Sequence, residues 1–226
     1  MTFQPFFIYA VTFILAFCSL FYEFAFAQVL AVSIGGTKIQ YLIVISLFTF
    51  SLGMGSLVYG KIKPRAETRK ILLWVEIGLT FVGLLGPFAL TWILRPGVFP
   101  GGSAMPQALA YFTVILVGFL SGFEIPCMFD LSPSRNGRIL AADYVGMLAA
   151  SIAFPLFFLP VFGTASSVMI VALFNCTVFL WLRSIEGRHW ETMIGLVAIF
   201  SSMILTIIFR AELNELLSSL YLGVDP

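Results

Sequence analysis

Four acidic residues lie within long apolar stretches of this 226-residue chain: Glu23, Glu76, Glu124 and Asp143. No Lys or Arg lies inside the stretches that contain them. A carboxylate at bilayer depth is costly, and it is tolerated where it faces a bundle interior, a wet cavity or a partner. Four groups of one sign therefore predict a polar interior that is neutral by protonation or suited to a cation. We take these acids, together with Gln28, as candidate cation- or proton-binding residues.

The composition indicates that these acids belong to a membrane protein. Hydrophobic residues make up 60% of the chain and charged residues 10%, and the mean hydropathy is +1.05. Soluble domains carry about 25% charged residues, so the sequence predicts an all-α, polytopic membrane helix bundle. The net charge of +1 and the lack of a long basic run argue against nucleic-acid binding.

The apolar stretches predict about seven transmembrane helices, because about 20 apolar residues cross the hydrocarbon core. The helices are expected over 6–33, 39–60, 71–94, 107–129, 139–160, 164–182 and 192–210. Residues 1–210 would then form one transmembrane domain. Residues 211–226 read as a short amphipathic segment that can lie on the membrane surface.

The loop charges predict an orientation. Nine basic residues follow the second, fourth and sixth predicted helices: Lys61, Lys63, Arg65, Arg69, Lys70, Arg135, Arg138, Arg183 and Arg188. Only Lys38, Arg95 and Arg210 follow the first, third and seventh. Because cytoplasmic loops are enriched in Lys and Arg, the N-terminus is predicted to be cytoplasmic and the C-terminus outside. A helix count wrong by one would move the C-terminus to the other side.

This topology also sets the depth of each acid, at 1.5 Å of helix rise per residue. Glu76, Glu124 and Asp143 fall in the inner third of the bilayer, whereas Glu23 falls in the outer half. The acids are therefore expected as an inner group of three plus one outer site.

Small residues predict where helices approach closely. The second predicted helix contains Gly53, Gly55 and Ser56, and the fourth contains the GxxxG pair Gly118 and Gly122. Such residues let helix backbones approach within lipid. We expect them to pack helices of one chain together, with an interface between copies as the alternative.

Metal and covalent chemistry have no support in the sequence. His189 is the sole histidine, and Cys18, Cys127 and Cys176 are isolated, without a CxxC pair. The three cysteines are expected to be small packing residues. No nucleophile with a neighbouring base can be assembled, so neither a metal, a cofactor nor a catalytic residue is predicted.

Several stretches together resemble the N-terminal transmembrane module of the membrane-integral spermidine synthases, which are polyamine aminopropyltransferases. The stretches are CSLFYEFAFAQVLAVSIGGTKIQYLIVISLFTFSLGMGSL, WVEIGLTFVGLLGP, GFEIP and RILAADYVGMLAASIAFPLFFLP. They contain all four acids and Gln28. The resemblance implies a related module in a bacterial inner membrane.

The resemblance does not extend to the family's chemistry. In that family a soluble Rossmann-like transferase domain with a glycine-rich nucleotide loop follows the helices. This sequence contains no GxGxxG motif, and it ends about where the linker to that domain is expected. No catalytic residue can therefore be carried over to this chain.

Three functional hypotheses remain open. In the first, the chain is the membrane module of a spermidine-synthase-like system that binds or passes a small cation such as a polyamine, or anchors a partner transferase. In the second, it is a structural or assembly subunit among other membrane subunits. In the third, it is a truncated membrane aminopropyltransferase. Membrane lipid is an expected partner in all three.

Overall fold

A computed structural model describes residues 5–65, 67–95, 104–132 and 136–184, together with the single residues 204, 206, 208, 211, 214, 215 and 219. Helices account for nearly all of these residues, and no strand occurs among them. The all-α prediction is thus confirmed for the part of the chain that the structure describes.

Seven α-helices and two short irregular helices occur in the four continuous ranges. The α-helices are α1 (Pro5–Ile34), α2 (Thr37–Ile62), α3 (Thr68–Ile93), α4 (Ala104–Ser121), α5 (Glu124–Leu131), α6 (Asn136–Ala153) and α7 (Leu159–Ser184). A 3-10 turn, Lys63–Arg65, follows α2, and a π-helical segment, Phe154–Phe158, joins α6 to α7.

These helices do not correspond one to one with the seven predicted spans. Four helical runs of the described residues are long and apolar enough to cross a membrane: Phe6–Ile34, Thr37–Ile62, Ala104–Leu131 and Asn136–Leu180. A fifth results if the two parts of α3, bent by 44°, count as one span. The predicted helix 192–210 and the segment 211–226 lie outside the continuously described residues.

The irregularities have local causes. The predicted span 107–129 is divided into α4 and α5 at Gly122 and Phe123. Pro87 lies inside the bent helix α3, and a proline removes one helical hydrogen bond and commonly kinks a helix. The predicted spans 139–160 and 164–182 run into one another through the π-helical segment and a break at Gly163.

Contacts between helices give their directions. Tyr22 and Phe26 of α1 lie against Gly83 and Gly86 of α3, so these two helices are parallel. The backbone of α2 near Leu52 lies against Gly122 of α4, and the side chain of Ser51 lies against Gly118. The helices α2 and α4 are therefore parallel to each other. The Gly35–Gly36 turn reverses the chain between α1 and α2, and Tyr41 of α2 returns to bond Gln28 of α1.

One end of this arrangement is basic. The ion pair of Lys63 with Asp130 joins the end of α2 to the end of α5. Lys70 of α3 pairs with Glu67 at 3.4 Å, and Arg138 begins α6 nearby in sequence. We call this the basic end. The Gly35–Gly36 turn, the end of α3 and the break at Gly163 lie at the opposite end, the far end.

The break at Gly163 is held by a distant residue. Gly163 has φ +73° and ψ 179°, a conformation essentially restricted to glycine. The Asn214 side chain accepts a hydrogen bond from the Ala165 amide at 3.2 Å and donates one to the Phe162 carbonyl at 2.5 Å. Asn214 thus replaces backbone partners that the broken helix lacks, and it lies at the far end.

The outer surface is apolar. Large side chains of several helices are exposed, among them Phe50, Leu57, Trp74, Phe81 and Leu156. Soluble monomers rarely expose contiguous apolar surface on this scale. The polar side chains described next are found instead in the interior.

Candidate functional site

Glu124 lies in the interior at the junction of α4 and α5. Its side chain is almost fully buried, and its two carboxyl oxygens lie 3.1 and 2.9 Å from the Ser19 hydroxyl of α1. The same hydroxyl lies 3.0 Å from Ser121 Oγ, at the last residue of α4. Three helices therefore contribute to the surroundings of one buried acid.

Glu76 of α3 lies in the same interior, and it is completely buried. Neither of its carboxyl oxygens has a partner with good hydrogen-bond geometry in the described part of the chain, although the Asn175 side chain lies close enough to interact with the carboxyl group. The buried amide of Asn175, on α7, donates to the Glu76 main-chain carbonyl at 3.4 Å and to Thr80 Oγ1 at 3.3 Å. The Asn175 side-chain oxygen is also without a partner among the described residues.

Glu76 and Glu124 interact electrostatically, so they repel each other when both are ionised. Tyr22 of α1 is buried against Gly83, two turns beyond Glu76 on α3, and its hydroxyl has no partner among the described residues. We call the following set the acid cluster: Ser19, Tyr22, Glu76, Ser121, Glu124 and Asn175.

The other three predicted residues lie outside the acid cluster. Glu23 is buried one turn beyond Ser19 on α1, and no hydrogen bond is found for it within the described ranges. Asp143 of α6 is half-buried and interacts electrostatically with Glu124. Gln28 accepts a hydrogen bond from the Tyr41 hydroxyl at 2.8 Å and so joins α1 to α2. The structure therefore brings Glu76 and Glu124 within electrostatic range of each other, and Asp143 within range of Glu124.

Sequence reasoning missed most of the neutral members of the acid cluster. Ser121 precedes Glu124 by three residues, a spacing that brings two side chains to one helix face and could have found Ser121. No local spacing links Ser19 of α1 to Glu124. Asn175 gives no such signal, because an isolated amide on an apolar helix gives no indication of what it faces.

The predicted small residues of α2 lie on two different faces of that helix, and those of α4 pack against α2. A Cβ added to Gly55 would overlap the Phe119 carbonyl, and one added to Gly122 would overlap the Leu52 carbonyl. Gly118 is equally close to α2, and Ser56 donates to the Gly122 carbonyl at 2.8 Å. Gly53 is exposed and has no neighbour within 4 Å of an added Cβ.

A second polar group occurs at the basic end. Tyr59 donates a hydrogen bond to Asp130, which also pairs with Lys63, and the Tyr59 hydroxyl lies 3.1 Å from Thr68 Oγ1. These residues connect α2, α3 and α5. Because each charged group there has a partner, we interpret this group as structural.

Elsewhere in the described residues, fewer polar or charged groups are placed to bind a charged ligand. A cavity of about 380 Å³ between α1, the π-helical segment and α7 is lined almost entirely by apolar groups, including Phe13, Phe17 and Phe174. Among the described residues, no group of three or more His, Cys, Asp or Glu side chains is placed to hold a metal ion. The acid cluster is therefore the candidate functional site.

The fold and the acid cluster define a class of protein, a helical bundle with paired acids in an apolar interior. The chain is 32% identical over 180 residues to the polyamine aminopropyltransferase of Leptospira interrogans, an alignment that covers 77% of this chain and 34% of the relative. It is 27% identical over 233 residues to polyamine aminopropyltransferase 1 of Streptomyces coelicolor, with 95% and 41% covered. For polyamine aminopropyltransferase 2 of Ralstonia nicotianae the identity is 28% over 193 residues, with 82% and 36% covered.

These similarities support an affinity with the polyamine aminopropyltransferase family, as the resemblance in the sequence indicated. The chain spans between 34% and 41% of the length of these three relatives. No family model matches the chain, and no solved structure matches it.

Proposed function

We propose that this chain is a membrane module of a polyamine aminopropyltransferase-like system, and that its acid cluster binds a small organic cation such as a polyamine. Two findings support the proposal. Four described helical runs have the length and apolarity of membrane spans, and the relatives are named polyamine aminopropyltransferases. No aminopropyl transfer step is assigned to these residues, because the sequence contains no GxGxxG loop.

We further propose that the module lies in a bacterial inner membrane with the basic end in the cytoplasm. Lys61, Lys63, Lys70 and Arg138 lie at or near this end, whereas Lys38 and Arg95 lie at the far end. The positive-inside rule favours that orientation. The N-terminus of α1 then begins on the cytoplasmic side.

The observation that carries the cation proposal is the excess of unpartnered acceptors in the acid cluster. Both oxygens of Glu76 and the side-chain oxygen of Asn175 have no donor within the described residues. A buried polar group without a hydrogen bond costs about 1–3 kcal/mol. A bound cation with N–H groups would supply these missing donors and balance the charge.

Four residues of the acid cluster have a defined role in this proposal. Glu76 provides the charge that contacts the cation, and Glu124, held by Ser19, contributes a second acid to the field. Asn175 fixes the α3–α7 contact through its amide nitrogen, which leaves its oxygen as an acceptor. The surrounding apolar helices exclude water, so these interactions are stronger than they would be at the surface.

The proposal is tested by binding of radiolabelled 1,4-diaminobutane to the purified full chain in detergent. Glu76→Gln and Glu124→Gln are each expected to weaken binding at least tenfold, since each removes a buried acid. Glu67→Gln is the matched control, because Glu67 is exposed and pairs with Lys70 at the basic end. Equal affinity in all four proteins, or no binding by the native chain, would contradict the proposal.

A further inference from the structure

Resting on this proposed function, we propose that the acid cluster exchanges one proton for one primary ammonium group, with Glu76 as the residue that changes partner. The cluster would then be a proton–amine exchange site. Each step below follows from burial, hydrogen bonding and charge in the interior.

The first step concerns the empty cluster. Glu76 is 0% exposed and Glu124 is 5% exposed, and the two acids interact electrostatically. Two buried carboxylates of like charge are not tolerated together without a counter-charge. Ser19 lies within bonding distance of Glu124, while neither carboxyl oxygen of Glu76 accepts a hydrogen bond with good geometry within the described residues. The two acids therefore share a proton in the absence of a cation, and Glu76, which no hydroxyl holds, is the one placed to take a new partner.

The unpartnered acceptors beside Glu76 match one type of cation. Glu76 supplies two unpartnered oxygens and Asn175 a third, all of them fully buried. A primary ammonium carries three N–H donors and no acceptor. Ca²⁺ takes six to eight oxygen ligands, more than this group offers. The number and type of vacant acceptors thus favour one –NH₃⁺ group.

A neutral side chain from another helix points to a ligand beside Glu76. The Asn175 side-chain oxygen of α7 is unpartnered within the described residues and at least nine-tenths buried, and the Tyr22 hydroxyl of α1, also buried and unpartnered there, lies farther along α3 against Gly83. Asn175 contacts both Glu76 and Thr80, one turn apart on α3. The acids are therefore completed by neutral groups from two further helices.

Other titratable groups around Glu76 provide no positive charge. Those that interact with it electrostatically are Cys18 and Tyr22 of α1 and Glu124 and Cys127 of α5. Cys176 of α7 interacts with Tyr22, and Asp143 of α6 interacts with Glu124. Within the described residues, none of these facing groups is Lys, Arg or His, so the counter-charge must come from a proton or a ligand.

The exchange balances in atoms and charge. The acid pair releases its shared proton to the solvent, and the Glu76 carboxylate accepts hydrogen bonds from the arriving ammonium. The ammonium keeps its three hydrogens, and no covalent bond to carbon forms or breaks. The cluster has the same net charge before and after, so the exchange adds no further uncompensated buried charge.

The test counts protons released when amines bind to the purified full chain in weakly buffered detergent near pH 7. A pH-indicator dye reports release, and equilibrium dialysis reports bound n-butylamine, a probe with a single ammonium group. About one proton per bound amine is expected, and the apparent affinity should fall about tenfold for each unit of pH below the range where Glu76 ionises. Tetramethylammonium, which lacks N–H groups, should bind at least tenfold more weakly.

The outcomes separate this inference from the proposed function. Amine binding without proton release overturns the exchange and leaves cation binding intact, whereas no amine binding overturns both. Equal binding and release with tetramethylammonium overturns recognition through N–H groups. The native chain decides the stoichiometry without a variant. Glu76→Gln, accepted as folded by circular dichroism and gel filtration, should release no proton, while Glu67→Gln should behave as native.

Discussion

At the scale of single residues, Ser19 links the acid cluster to the fold. Its hydroxyl lies within hydrogen-bond distance of both Ser121 and the Glu124 carboxyl group, on two different helices. A side chain of this size on α1 brings a polar atom to the junction of α4 and α5 without opening a gap. We therefore regard Ser19 as a positioning residue for Glu124.

Replacing Ser19 by Ala should destabilise the protein by about 1 kcal/mol, a value typical of one hydrogen bond between helices. The substitution leaves the buried Glu124 carboxyl without this partner. Thermal unfolding in detergent measures the change. Ser46→Ala is the control, since Ser46 is exposed and bonds only within its own helix, to the Leu42 carbonyl at 2.8 Å. Equal effects of the two substitutions would contradict the role of Ser19.

At the scale of helices, the tightest contact lies between α2 and α4. Gly55, Gly118 and Gly122 have no room for a side chain there, because each faces backbone or side-chain atoms of the partner helix. The GxxxG spacing in α4 indicated a close helix approach, although it could not identify the partner. Gly53 is only two residues from Gly55, but a step of two in a helix turns a residue onto a different face.

Gly122→Ala is expected to destabilise the bundle by about 1–3 kcal/mol, the usual cost of overpacking. The added methyl group would overlap the Leu52 carbonyl and push α2 away from α4. Gly53→Ala is the matched control, and it should change stability by no more than about 0.5 kcal/mol. Unfolding in detergent compares the two variants. A neutral Gly122→Ala would mean that α2 and α4 do not pack as described.

The all-helical class of the fold could be predicted from the sequence, because long apolar stretches are a strong local signal. The presence of acids within those helices could be predicted for the same reason. The pairing of Glu76 with Glu124 could not be predicted, since it depends on how α3 and α5 are placed in space. Depth reckoning grouped Asp143 with them, but depth does not specify which way a side chain faces. At the Gly163 break, Asn214 contacts Ala165, which lies 49 residues away in sequence. No local pattern could predict that contact.

At the scale of the whole molecule, an apolar exterior surrounds a polar interior in the described residues, and basic residues gather at one end. The contacts of α1 with α3 and of α2 with α4 place Thr37 at the far end and Glu67 at the basic end. Both residues are exposed, so they report which side of the membrane each end occupies.

Cysteine labelling in intact cells tests that orientation. In a background without the three native cysteines, Thr37→Cys should react with a membrane-impermeant maleimide and Glu67→Cys should react only after the membrane is permeabilised. The positive-inside rule favours a cytoplasmic location for the basic end in the orientation that we propose. The reverse pattern would show the opposite orientation, and labelling of both without permeabilisation would argue against a membrane-spanning arrangement.

The most direct test of the central claim is a solid-state NMR measurement on the full chain in lipid bilayers. The protein carries ¹³C-labelled glutamate, and the ligand is ¹⁵N-labelled 1,4-diaminobutane. If an ammonium group binds Glu76, a charge-assisted hydrogen bond of about 2.8 Å places the nitrogen next to a carboxyl carbon, and a dipolar ¹⁵N–¹³C correlation should appear. The account predicts that this correlation is lost in Glu76→Gln and kept in Glu67→Gln. Bound diamine with no such correlation, or a correlation that survives Glu76→Gln unchanged, would contradict it.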